Sequence, residues 1–191
     1  GLTEKKGGGG QDSFWTWRQL MYKFLGVLTP EQIEAIAALS QIEMLEAGYA
    51  SLGEFHYLHH QQGGQPYDNP SELSGRLIEA ARKTGIGLTL LPVYYAQGGV
   101  DGRALEGGQL RFKNDLDRFA DIWSGAKKRL EYLAEDNSLG IAPHSLRAVS
   151  KEDLSQLAET YRDGPIHIHI AEQTAEIEDV EAAYAKPPVA W

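Results

Sequence analysis

The sequence predicts an α/β fold, a partial (β/α)8 (TIM) barrel, on three observations. Strand-like and helix-like runs alternate from residue 49 onward, which calls for a parallel sheet with helical crossovers. The run 86–95 (IGLTLLPVYY) is apolar almost throughout, as in a parallel strand covered on both faces. Each strand-like run also ends in a polar cluster: Tyr57 with His59 and His60, Tyr94 with Tyr95, His144 with Arg147, and His169 with Glu172. Chemistry gathered at C-terminal strand ends marks the active face of such a barrel. An open doubly wound sheet gathers it at its switch point and is the structural alternative. No Gly-rich phosphate fingerprint follows any strand, which weakens that alternative.

The elements follow in order. Residues 1–12 are polar and Gly-rich, a flexible lead-in. A helix is expected over 13–25, capped by Asp12 or Ser13, with Trp15, Tyr22 and Leu25, and Trp17, Met21 and Phe24, at helical spacings. Thr29, Pro30 and Gln32 supply an N-cap, an N1 proline and a capping-box partner for a helix that stops at Gly48. A strand over 49–58 follows, then a helix from Asn69-Pro70 to Thr84, ended by Gly85. After the 86–95 strand comes a Gly-rich loop, 97–109, long enough to be functional. Residues 111–134 read as one helix, or as two broken near Ser124-Gly125. A short strand within 139–149 precedes a helix capped at Ser150 that runs to about Tyr161. A strand from Ile166 and a Glu-rich helix over 174–184, stopped by Pro187-Pro188, complete the pattern.

The 166–170 stretch reads Ile-His-Ile-His-Ile, placing three isoleucines on one face and two histidines on the other. Imidazoles on an inward strand face suit a metal or a substrate better than a plain core. Glu172, three residues past His169, is placed to exchange protons with a metal-bound water. For Glu172 to join His169, the chain has to turn by about Ala171. His167 is expected one layer deeper, as a structural residue. His59 and His60 are adjacent and point apart, so they are expected to be loop residues that do not share an ion.

Composition limits the function. The chain has 191 residues, no cysteine and a formal charge of −9. Disulfides and thiolate metal sites are excluded, and the acidic balance argues against a nucleic-acid partner. No apolar run approaches the roughly 20 residues that span a bilayer. The N-terminal stretch lacks the apolar region of a signal peptide, so a cytoplasmic protein is expected. A complete barrel takes about 250 residues, and only four strands are counted here, so the chain is expected to be the middle of a longer one.

Five segments in order, 12–18 (DSFWTWR), 48–60 (GYASLGEFHYLHH), 87–94 (GLTLLPVY), 144–149 (HSLRAV) and 167–173 (HIHIAEQ), resemble the formimidoylglutamate deiminase family of the amidohydrolase superfamily. The resemblance implies a (β/α)8 barrel with one zinc ion, of which this chain holds about strands 2–5 and lacks strand 1 and strands 6–8. It implies that His169 is a zinc ligand and Glu172 the proton-transferring carboxylate. It further implies that Arg18, Tyr57, His144 and Arg147 hold the substrate's two carboxylates, and that the parent enzyme is a homodimer. The substrate, N-formimino-L-glutamate, is a dianion with an amidine tip, which suits guanidinium forks, a phenol and an imidazole at one end. The product would be N-formyl-L-glutamate, a step of histidine degradation.

The same resemblance leaves His169 as the one metal ligand of the usual set, so the isolated chain is expected to be inactive and to expose raw strand edges. Plainer roles also fit several of these residues. Arg18 also fits a surface arginine covering aromatics, the aromatic stripe near the N-terminus fits packing, and the Glu-rich last helix fits a solvated face. Two other functions remain: another amidohydrolase-superfamily deaminase acting on a nucleobase or triazine, and a non-enzymatic anion-binding α/β module.

Overall fold

A computed structural model describes residues 14–170 and 172–191, and for residues 14–19 the backbone alone. The expectations for the 1–12 lead-in and for the Trp15, Trp17 and Arg18 side chains lie outside the described residues. Among the described residues no helix is long and apolar enough to cross a membrane.

Two helices lead in, α1 (Phe14–Leu25) and α2 (Pro30–Glu46). The second opens as its sequence dictates: the Thr29 hydroxyl accepts from the Gln32 amide, and the Gln32 side chain accepts from the Thr29 amide. Strand β1 (Ser51–His56), helix α3 (Glu72–Thr84) and strand β2 (Gly87–Tyr94) form the first full βαβ unit. Helix α3 begins two residues later than Asn69-Pro70 suggested, because the Asn69 side chain turns the chain by accepting from the Ser71 amide. It ends at Gly85, whose φ of 78° is the left-handed cap that glycine adopts freely.

Strand β2 is the centre of the sheet. It pairs in parallel with β1 from Ser51↔Gly87 to His56↔Pro92. On its other side it pairs with two short pieces, β3 (Ser138–Leu139) and β4 (Ala142–Pro143), also in parallel. Leu88, Leu90, Leu91, Val93 and Tyr94 are all buried, the two-sided burial that a near-continuous apolar run foretells. Among the described residues β1 pairs only with β2, so its other edge is open.

The helix expected over 111–134 is one element, α4 (Leu116–Leu130), preceded by a short 3-10 turn at Gly107–Arg111. Ser124-Gly125 does not break it. A β-carbon on Gly125 would come 2.3 Å from the Ser71 hydroxyl, so the glycine lets α4 press against the entrance of α3. The Arg111 side chain is buried and caps loop carbonyls instead, donating to those of His60, Leu25 and Leu28.

The last two helices are α5 (Lys151–Thr160), capped by Ser150, and α6 (Thr174–Tyr184). Between them the 166–170 stretch departs from expectation: it is extended but is not a regular strand. It runs parallel to the chain around β4 through one bridge at Ile141, just before β4, which includes the bond from the His167 amide to the Ile141 carbonyl, and one further bond, from the His169 amide to the His144 carbonyl. Its isoleucine face is only partly covered, with Ile166 and Ile170 each 41% exposed. His167 is exposed, not a deep structural residue.

The join between this stretch and the sheet depends on Gly140. A β-carbon there would lie 2.1 Å from the Pro165 carbonyl oxygen and 2.7 Å from the Leu91 side chain. Gly140→Ala should therefore cost about 1–3 kcal/mol through overpacking against backbone, read as a lower urea midpoint. An unchanged midpoint would show that this contact is not fixed.

Candidate active site

Parallel pairing brings the C-terminal ends of β1, β2, β4 and the 166–170 stretch to one rim. Period 2 along β1 and its extension puts Phe55 and Tyr57 on the same side, facing the rim groups. From β1 the Tyr57 hydroxyl reaches the His169 imidazole, with 2.8 Å between the oxygen and Nε2. Phe55 stacks flat on the same imidazole, ring centres 4.2 Å apart and planes 9° apart. His144, just past β4, meets His169 edge-on at 5.2 Å and Tyr57 at 5.4 Å between ring centres. Tyr95 lies 4.5 Å from the His144 ring, whose Nδ1 is 2.8 Å from the Ser145 hydroxyl.

Arg147 closes the group. Its guanidinium lies 3.7 Å from a Glu172 carboxylate oxygen and 3.4 Å from one of Glu176. Of the six site residues singled out from sequence, Tyr57, His144, Arg147, His169 and Glu172 thus stand around one mouth; the Arg18 side chain lies outside the described residues. Other polar strand ends stay out of it. The Tyr94 hydroxyl donates to Asp153 on α5, away from the rim. His59 and His60 are loop residues as expected, yet buried, with their Nε2 atoms on two different carbonyls, Val93 and Lys113.

The electrostatics follow from partial drying. Burial pushes the Tyr57 phenol up, and the Glu172 charge adds to the rise, so the group stays a neutral donor. Burial lowers the His169 imidazole, Glu172 opposes that shift and Arg147 reinforces it; the ring is therefore neutral, and its one acceptor nitrogen can take the Tyr57 hydroxyl or, in its place, an ion. Burial raises the Glu176 carboxyl while Arg147 pulls it back.

Four site contacts were not assigned from the sequence. Phe55 carried a signal, being two residues before Tyr57 on one strand face. Tyr95 carried one as part of the strand-end pair with Tyr94, and Ser145 carried none beyond adjacency to His144. Glu176 was assigned to a solvated face, yet only 4% of it is exposed.

A neutral imidazole beside a carboxylate could contribute to a metal site, but zinc needs three or four protein ligands. Among the described residues no group of three or more histidines, aspartates or glutamates is arranged to hold an ion. These residues therefore do not make a zinc site by themselves.

Five polar side chains gathered at the C-terminal rim of a parallel sheet match the active face of an α/β barrel. The model of the amidohydrolase family matches residues 4–187, and the chain belongs to that family. It is 46% identical, over its whole length, to formimidoylglutamate deiminase from Pseudomonas aeruginosa, of which it spans 42%. A crystal structure of an amidohydrolase from Brucella melitensis superimposes with a TM-score of 0.94 at 51% identity, again over all of this chain and 42% of that one. An adenosine deaminase from Xanthomonas campestris with bound zinc shares the fold alone, with a TM-score of 0.70 at 16% identity over 95% of this chain and 36% of its own. The chain thus spans less than half the length of the relatives it matches.

Beside the rim, His56 and His59 form a second imidazole pair, with ring centres 5.3 Å apart. Burial holds His56 well below its ordinary value and His59 down to about 4. Between that value and the unfolded value of about 6.5 the unfolded chain binds more protons, so stability is full above pH 6.5 and falls as pH drops. The expected loss is about 1.4 kcal/mol per pH unit for each such imidazole. Urea midpoints from pH 7.5 to 4.5 should fall less steeply in His59→Gln than in the parent; equal slopes would contradict a buried neutral His59.

Proposed function

We propose that this chain forms one side of the active site of a metal-dependent hydrolase that converts N-formimino-L-glutamate to N-formyl-L-glutamate and ammonia, in histidine degradation. It would contribute about strands 2–5 of a (β/α)8 barrel, with strand 1 and strands 6–8 outside it. The observation that carries the proposal is the single mouth shared by Tyr57, His144, Arg147, His169 and Glu172, in a chain 46% identical to a formimidoylglutamate deiminase. We place the whole protein in the cytoplasm, as a homodimer acting on a small dianion and not on nucleic acid.

The chemistry divides along the mouth. Arg147, beside His144 and Tyr57, offers charge-assisted bonds to a carboxylate of the substrate; Arg18 would serve the second carboxylate. Hydrolysis adds the oxygen of water to the amidine carbon and breaks its bond to the departing nitrogen. Glu172 takes one proton from that water on attack and the second as the carbonyl forms, and delivers both to the nitrogen, which leaves as ammonia. A zinc ion, when bound with ligands from outside the described residues, would make the water more acidic, and His169 is the residue of this chain offered to it.

Ammonia release by the full-length protein separates this function from its competitors. N-formimino-L-glutamate should be the substrate. Hydrolysis only of neutral rings, adenine-, guanine- or triazine-type, would assign the mouth to another deaminase, since such rings do not need Arg147. Glu172→Gln should lower kcat about a hundredfold or more, with metal content unchanged; normal turnover would remove Glu172 from the chemistry. Arg147→Met should raise KM about tenfold to a hundredfold with a smaller effect on kcat. Metal analysis of the isolated 191-residue chain should show far less than one equivalent of zinc and no turnover. Tight stoichiometric zinc there would contradict the incomplete ligand set.

A further inference from the structure

Glu176 is the third residue of α6, and its carboxylate is turned inward while Glu178 and Glu181 on the same helix are exposed. A single oxygen, Oε2, lies 3.4 Å from Arg147 Nη1 and 3.3 Å from the backbone nitrogen of Glu172. The other arm of Arg147 faces the Glu172 carboxylate at 3.7 Å. The guanidinium is therefore held between two acids four residues apart, one of them at the rim and the other buried behind it. The first turn of a helix favours a carboxylate electrostatically, so Glu176 is anchored from below as well.

A carboxylate there has two possible duties. As a mere end-cap it would accept from the Glu172 amide and matter only to folding. The contact with Arg147 adds something a cap does not need: a link between the cation that would catch the substrate and the acid that would move the proton. We propose that Glu176 is a positioning residue of the deiminase site, holding the Arg147 guanidinium and the Glu172 backbone at a fixed separation so that substrate carboxylate and reacting amidine are presented together. This rests on the function proposed above.

Steady-state kinetics and thermal midpoints of the full-length protein test it. Glu176→Gln keeps an acceptor for the Glu172 amide but loses the charge facing Arg147; KM for N-formimino-L-glutamate should rise about tenfold with kcat within about threefold. Glu176→Ala removes both links, so kcat should fall about tenfold as well. Because Glu176 acts through Arg147, Glu176→Gln on top of Arg147→Met should add little to the KM increase of Arg147→Met alone.

The proposal is overturned if Glu176→Gln shifts only the thermal midpoint and leaves KM within about twofold, or if the two substitutions add in full. The near-isosteric glutamine decides the matter even if Glu176→Ala fails to fold. Arg147→Met and Glu172→Gln serve as the control for the functional reading. If both leave turnover intact, that reading falls and this proposal with it; if both impair turnover while Glu176→Gln does not, the proposal alone falls.

Discussion

The parallel alignment of β1 and β4 on the two sides of β2 is the constraint from which the site follows. Parallel strands end on the same side of a sheet, and a residue just past each end stands on the same rim. That is why Tyr57, Tyr95, His144 and His169, drawn from positions 112 residues apart at the extremes, come within ring contact of one another. The buried apolar side chains of β2 hold the alignment. Any shift of the 166–170 stretch against β4 would move His169 away from Tyr57 and Phe55 together. Gly140 is the narrow point in that arrangement, because the Pro165 carbonyl fills the space a side chain would need.

Around the rim the charges are few and faced by opposites. Arg147 stands between Glu172 and Glu176, and the neutral groups, Tyr57 and His169, share a hydrogen bond. Partial burial keeps the phenol protonated and the imidazole neutral. A mouth of this kind strengthens any charge-assisted bond made inside it, since water competes less for the same donors. An anionic substrate would therefore exchange one carboxylate partner of Arg147 for another without leaving the guanidinium bare.

Much of this was legible in the sequence. The capping box at Thr29, the Gly85 stop and the apolar run of β2 are local signals, set by backbone chemistry within a few residues, and the structure carries each of them. The gathering of polar strand-end residues at one rim was legible too, because alternation and the end of a strand together fix a face and a rim. What was not legible depends on contacts between distant elements. Gly125 looks like a helix breaker until Ser71 is seen against it, and Glu176 looks like a solvent-facing acid until Arg147 is seen beside it. The Ile-His-Ile-His-Ile alternation promised a regular strand, but a single bridge at Ile141, just before β4, and one further backbone bond to His144, just after it, are what it makes.

Diffraction from the full-length protein with N-formyl-L-glutamate bound would show which side chains meet each end of the ligand. The ligand's carboxylate end should lie within hydrogen-bond reach of Arg147, with His144 and Tyr57 beside it, and the formyl carbon should turn toward Glu172. A ligand seated elsewhere on the fold, or one whose carboxylates point at Glu172 with Arg147 untouched, would contradict that arrangement.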